Sequence, residues 1–312
     1  AATAWLAALV DPVSGDGPNL GSNDGAFCYQ LHSQPYRDFR PTLQLTSLVF
    51  EGNPVLSAGP WDEPLHWLGL MVDRPPVRAE QPASIATESL FNDGGYAVLR
   101  PGTTSWALLR LPTYRFRPAH ADPLHLDLWH QGVNLLRDGG SYAYNASPAD
   151  LAYFPGIASH NTVQFDGAEP MPRLGRFLWG DWLELEKPPM LKQSHMGKSI
   201  TAGYRGPHGR HQRKVQVDGT GYRWTITDTC SGFQQEAMLR WRLCPGDWRL
   251  DGCSLISPLA TLEIYCDQPI TRLKMVSGWE SLHYDVKTSL PVLELCTSMA
   301  PAIITTHISL TP

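Results

Sequence analysis

Residues 117–166 hold three side chains that can bind a metal: His120, Asp138 and His160. Two imidazoles with a carboxylate are a donor set for a zinc-like cation, and a centre with an open position can take water or substrate. Asp138 follows His120 by eighteen residues. That length suits one strand (LHLDLW), a turn at Gln131–Gly132 and a returning strand (VNLL), which would carry Asp138 back beside His120. In LHLDLW, period-two alternation sets His125 and Asp127 on one face and Leu124, Leu126 and Leu128 on the other. His125 therefore competes with His120 for the first ligand position. The same trio could instead form a hydrogen-bonded cluster without metal, and Asp138 could cap the Gly139–Gly140 turn.

Short strands must position these groups. TESLFNDGGYAVLR reads as a hairpin turning at Asn92–Gly95, and WALLRL, RWTITDT, AMLRWRL and TLEIYC read as further strands separated by Gly, Pro and Asp. With no helical periodicity after residue 84, the expected fold class is mainly β, a large antiparallel sandwich over residues 84–312. Residues 1–71 are expected to be mainly helical: an Ala/Leu/Trp-rich opening, a loop at Pro12–Gly25, RPTLQLTSLVF with Pro41 in its first turn, and WDEPLHWLGL. VDRPPVRAEQPA (72–83) is a proline-rich linker.

The chain has 312 residues, enough for one large β-domain with a buried core. Its net charge of −5 lacks the broad basic surface of a nucleic-acid binder. Arg205, Arg210, Arg213 and Lys214 read as a solvated face, and His208 and His211 as groups of a mobile surface loop. Six cysteines show no C-x-x-C pair or zinc-knuckle spacing. No apolar run approaches the ~20 residues of a membrane span. AATAWLAALVDP is short for a secretory signal and lacks a charged n-region.

The motifs His-Ala-Asp before an apolar strand, Asp-Gly-Gly-Ser-Tyr after the next, and His-Asn-Thr-Val-x-x-Asp-Gly together resemble the C-terminal β-domain of the heparinase II/III-like polysaccharide lyases. PNLGSNDG and HQRKVQVDGTGYRWTITD extend the resemblance through most of the chain. It implies a supersandwich preceded by the end of an α/α-toroid, a zinc held by His120, Asp138 and His160, and cleavage of a uronate-containing polysaccharide by β-elimination. It also implies an acidic polysaccharide and an upstream toroid of the same polypeptide as partners, with a periplasmic or secreted address.

β-Elimination needs a group that neutralises the uronate carboxylate, a base for the C5 proton and an acid for the leaving oxygen. His125, Tyr144 and Tyr153 are candidates for proton transfer. Asn19, Asn23 and Asn161 are candidates for sugar binding, as are Arg173 and Trp179 for an acidic ring. One departure from the family pattern stands out: many relatives carry a second histidine two residues before the His-Ala-Asp histidine, and this chain has Pro118. A non-catalytic carbohydrate-binding or scaffold domain with a structural metal is the alternative function. A glycoside hydrolase is a third reading, for which Asp122, Asp127, Asp166 and Glu169 offer no diagnostic spacing.

Overall fold

The computed structural model describes residues 2–27, 29–70, 88–194 and 197–312. The linker at 72–83 and Cys28 lie outside them. The N-terminal segment forms helices at Ala2–Leu9, Arg40–Glu51 and Glu63–Trp67, the last entered through a 3-10 turn at Pro60–Asp62. Pro41 stands in the first turn of Arg40–Glu51, where its missing N–H costs nothing, and Gly52 closes that helix at φ 77°. The segment is less helical than the sequence suggested. Between Val10 and Phe39 no described residue is helical, because Pro12, Pro18 and Pro35 and four glycines interrupt every candidate turn.

Antiparallel sheets follow. A five-stranded meander runs Glu88–Phe91, Tyr96–Leu99, Ser105–Arg110, Leu126–His130 and Val133–Leu136, and its first hairpin turns where the Asn92–Gly95 signal lies. A four-stranded sheet has the order Ile270–His283, Val286–Thr297, Ala237–Arg242, Val163–Phe165. The bridge Leu136↔Leu243 and the bond from Arg137 N to Arg242 O (3.1 Å) join these two sheets edge to edge. Opposite them lies an eight-stranded sheet whose middle strands are Ala302–Leu310, Arg223–Ser231 and Gly209–Asp218.

Alternation on the middle strands places Val215 and Val217, Trp224 and Ile226, and Ile304 and Ile308 inward. They share one core cluster with Leu126, Leu128 and Leu136 of the meander. The strand Leu126–His130 is buried on both faces, so His125 and Asp127 are enclosed along with the leucines.

Arg205 and Arg210 of the second basic cluster do face solvent, but the same alternation overturns the surface reading of Arg213 and His211. Arg213 and His211 are two and four residues from Val215, so they point into the core, and both are fully buried against Asp228 of the neighbouring strand. Only His208 of that pair of histidines is exposed, at the hairpin tip. The five described cysteines are free thiols. Among the described residues no helix is long and apolar enough to cross a membrane.

Candidate metal centre

His120 lies in the loop between Ser105–Arg110 and Leu126–His130, held by bonds from Ala121 N to Pro155 O (2.8 Å) and from Trp179 Nε1 to Ala119 O (3.2 Å). Asp138 sits just past Val133–Leu136, and Gly139 pairs with Ser159 and Ser281 through its N–H and carbonyl. His160 follows the 3-10 turn Ile157–Ser159. All three side chains are buried, and one donor atom from each lies within 4.8 Å of the others. The hairpin return expected from the eighteen-residue spacing does bring Asp138 to His120.

Asp138 serves its turn and the cluster at once. Its Oδ1 accepts from Gly140 N at 2.7 Å, while Oδ2 accepts from His160 Nδ1 at 2.8 Å. Gly140 has φ 74°, and a Cβ there would meet the Asn19 amide at 2.2 Å and Ser281 O at 2.5 Å. Only glycine fits that position.

The hydrogen-bond network favours one tautomer of His120. The Ser141 hydroxyl donates to Gly21 O (2.6 Å) and accepts from Asn23 N (3.1 Å), so toward His120 Nε2 (3.4 Å) its oxygen can only accept again. That arrangement suits the tautomer with its proton on Nε2, which leaves a bare lone pair on Nδ1. That Nδ1 is buried without a hydrogen-bond partner among the described residues. Burial, reinforced by His160, pushes the His120 pKa down to about 4, so the ring is neutral at neutral pH. Burial also works against the Asp138 charge, but His160 and His125 outweigh it and hold that carboxyl well below its usual range. A neutral imidazole with an unpartnered lone pair beside a fixed carboxylate fits a cation.

His125 supports this centre from behind. Its Nδ1 accepts from Asn161 N (2.8 Å), leaving Nε2–H for Asp127 Oδ2 (3.2 Å), with Asp138 Oδ2 at 3.5 Å. With both nitrogens engaged and no exposure, His125 neither replaces His120 as a ligand nor reaches solvent for proton transfer.

The other expected site residues divide. Tyr144 shares a small cleft with His120, Ser22, Arg173, Arg176 and Phe177. Burial and Asp24 push its phenol pKa up. Tyr153 instead spends its oxygen accepting from Arg242 Nη1 (2.7 Å) and Trp279 N (3.0 Å). Asn161 is fully buried, bonding Leu126 O, Arg137 O and Arg242 N. Asn19 is buried on Ser281 O (2.7 Å), and Asn23 accepts from Gly25 N and Tyr36.

Trp179 is buried with its N–H on a backbone carbonyl, so neither it nor Asn161 presents a surface to a sugar. Arg173 stays at the cleft rim but donates to the carbonyls of Leu151, Gly175 and Arg176. Sequence reading missed Ser141. The only signal there is its position after Gly139–Gly140, and its partners Gly21 and Asn23 are over a hundred residues away.

A family profile described as "Heparinase II/III-like, C-terminal" matches residues 86–263. The chain belongs to the heparinase II/III-like family. A search of the curated proteins gave no match. Among solved structures, a heparinase III superposes with a TM-score of 0.74 at 15% identity, covering 99% of this chain and 48% of its own. The heparan sulfate lyase HepC from Pedobacter heparinus gives 0.68 at 14% identity, covering 96% and 44%. These likenesses establish a shared heparinase III-like fold, and this chain spans less than half the length of those proteins.

For this heparinase II/III-like chain, His160→Ala should lower metal content and melting temperature together, because a site formed only in the folded state converts binding energy into folding energy. Elemental analysis and thermal melts with and without chelator check this. A variant with unchanged metal content would exclude His160 as a ligand.

Proposed function

We propose that this chain is the metal-bearing β-domain of a polysaccharide lyase that cleaves a uronic-acid-containing polysaccharide by β-elimination. In this reading residues 1–71 end an α/α-toroid supplied by the same polypeptide, 72–83 link it to the sandwich, and 84–312 form the sandwich. The observation that carries the proposal is the His120–Asp138–His160 cluster with its unpartnered Nδ1, opening on a cleft that also holds Tyr144 and two arginines.

Zinc suits the donor set; bound there, it would supply positive charge and a cross-link between three loops. Each residue of this chain then has a task. Arg176, exposed and held by Asn145 Oδ1 (3.1 Å), neutralises the uronate carboxylate and so acidifies the C5 proton. Tyr144 moves a proton at its phenol oxygen. Its raised pKa keeps it protonated, which suits an acid for the departing sugar oxygen better than a base. The base, and further substrate contacts, are assigned to the toroid.

Pro118 favours a second reading, a carbohydrate-binding or scaffold domain whose metal only pins loops, since the position is buried and cannot transfer a proton. Product analysis separates the two. The complete polypeptide, incubated with uronate polymers, should release fragments with unsaturated uronate ends, lacking the water that hydrolysis adds, while this chain alone should be weak or inactive. Positioned acid–base groups are worth ~10²–10⁴-fold each, and Tyr144→Phe should cost about that factor in kcat. A complete polypeptide that binds such polymers but leaves them uncut would establish the scaffold reading instead.

A further inference from the structure

His120 also fronts a second cleft, of about 260 Å³, lined by Tyr96, Arg110, Tyr114, Asp122 and the loop residues Arg115, Phe116 and Arg117. Its floor is rigid. The Arg110 guanidinium lies over the rings of Tyr96 (4.7 Å) and Tyr114 (5.1 Å), pairs with Asp122 (3.3 Å), and donates to the carbonyls of Gly94, Gly95 and Leu111. The loop above it is pinned at both ends: Tyr114 donates to Asp122 Oδ1 (3.3 Å), and Pro118 is buried beside Ala119, whose carbonyl takes the Trp179 N–H.

Between those anchors three side chains stand in solvent. Phe116 is 85% exposed, more than any other described large apolar side chain. Arg115 is paired with Asp93 at 2.6 Å. Arg117 has no ion-pair partner among the described residues. An aromatic ring held out of the core on an anchored loop, with a free cation beside it, matches the two faces of an acidic pyranose: apolar C–H groups for stacking and a carboxylate or sulfate for the guanidinium.

We propose that Phe116 and Arg117 form a subsite for an anionic sugar ring neighbouring the one at the His120 cleft. The inference rests on the polysaccharide reading and adds to it that binding extends over more than one acidic residue, with Arg117 supplying charge immediately beside Pro118.

Calorimetry with the metal-loaded complete polypeptide tests this, in a Tyr144→Phe background that slows cleavage of the probes, a heparan sulfate hexasaccharide and disaccharide. Arg117→Gln and Phe116→Ser should each weaken hexasaccharide binding about tenfold, the size of one charge-assisted contact, with disaccharide binding and melting temperature unchanged. The Arg117 effect should shrink in ~1 M salt, which screens charges beyond ~3 Å. Arg249→Gln, at an exposed arginine on the edge strand of the eight-stranded sheet, is the control.

Unchanged hexasaccharide affinity in both variants would overturn the subsite. So would a lower melting temperature for Phe116→Ser with affinity intact, which would mean that Phe116 packs against the rest of the polypeptide. The lyase reading fails differently: wild type would bind the hexasaccharide and give no unsaturated product.

Discussion

Asp228→Ala should lower unfolding stability by about 3–5 kcal/mol, a large part of the ~5–15 kcal/mol that holds a typical domain together. Asp228 accepts from Arg213 Nε at 2.6 Å and Nη2 at 3.0 Å and from His211 Nε2 at 2.7 Å, all without solvent exposure. Its removal would leave a guanidinium uncompensated in the core. The exposed pair Arg249–Asp251 provides the contrast, since Asp251→Ala should cost at most ~1 kcal/mol. Denaturant titration of both variants checks the difference.

The pH dependence follows from the same group. Burial alone would raise the Asp228 pKa, but Arg213 and His211 overcome it and bring the carboxyl down to about 2. A depressed folded-state value means the unfolded chain takes up the proton first. Its contribution is complete above the unfolded pKa of ~3.9 and is lost as pH falls toward about 2. Acid titration should therefore show a stability loss in that window in wild type, and a smaller one in Asp228→Ala, where Asp138 and other depressed carboxylates still contribute but Asp228 does not.

Asn161→Ala should be nearly as costly, and it should also reach the metal. The side-chain amide donates to Leu126 O (2.9 Å) and Arg137 O (3.3 Å), and its oxygen accepts from Arg242 N (2.6 Å). The same residue's backbone N–H orients His125, and its carbonyl takes Arg213 Nη1 at 2.6 Å. Each buried group left unpaired costs ~1–3 kcal/mol, so a total of about 3 kcal/mol or more is expected. Because Asn161 follows His160 and joins the strands that present Asp138, metal affinity should fall ~10–100-fold. Competition with a chelator of known affinity measures that drop. An unchanged affinity would uncouple this knot from the centre.

The strands and the cluster were legible in the sequence for local reasons. The hairpin of Leu126–His130 and Val133–Leu136, inside the eighteen-residue step from His120 to Asp138, is closed by its own turn, and period-two spacing put His125 beside Asp127, where the structure has them 3.2 Å apart. Substrate-facing roles were not legible, because side-chain chemistry alone does not reveal which way a group faces. Asn161 and Trp179 have the right types for sugar binding, yet closure of the sandwich buries both. Arg213 looks like one charge in a solvated run until Val215 fixes the inward phase of its strand. The bond from Asn19 to Ser281 spans 262 residues, a separation that no periodicity encodes. Pro118 is the reverse case: its identity is plain in the sequence, and the structure adds the cleft that Arg117 lines beside it.

The most direct test of the central claim is metal stoichiometry in this chain after stripping and reloading with zinc. Wild type and Tyr153→Phe should each hold a single equivalent, and His120→Ala, Asp138→Ala and His160→Ala should retain none. Folded wild-type protein that holds no stoichiometric metal after reloading would contradict it.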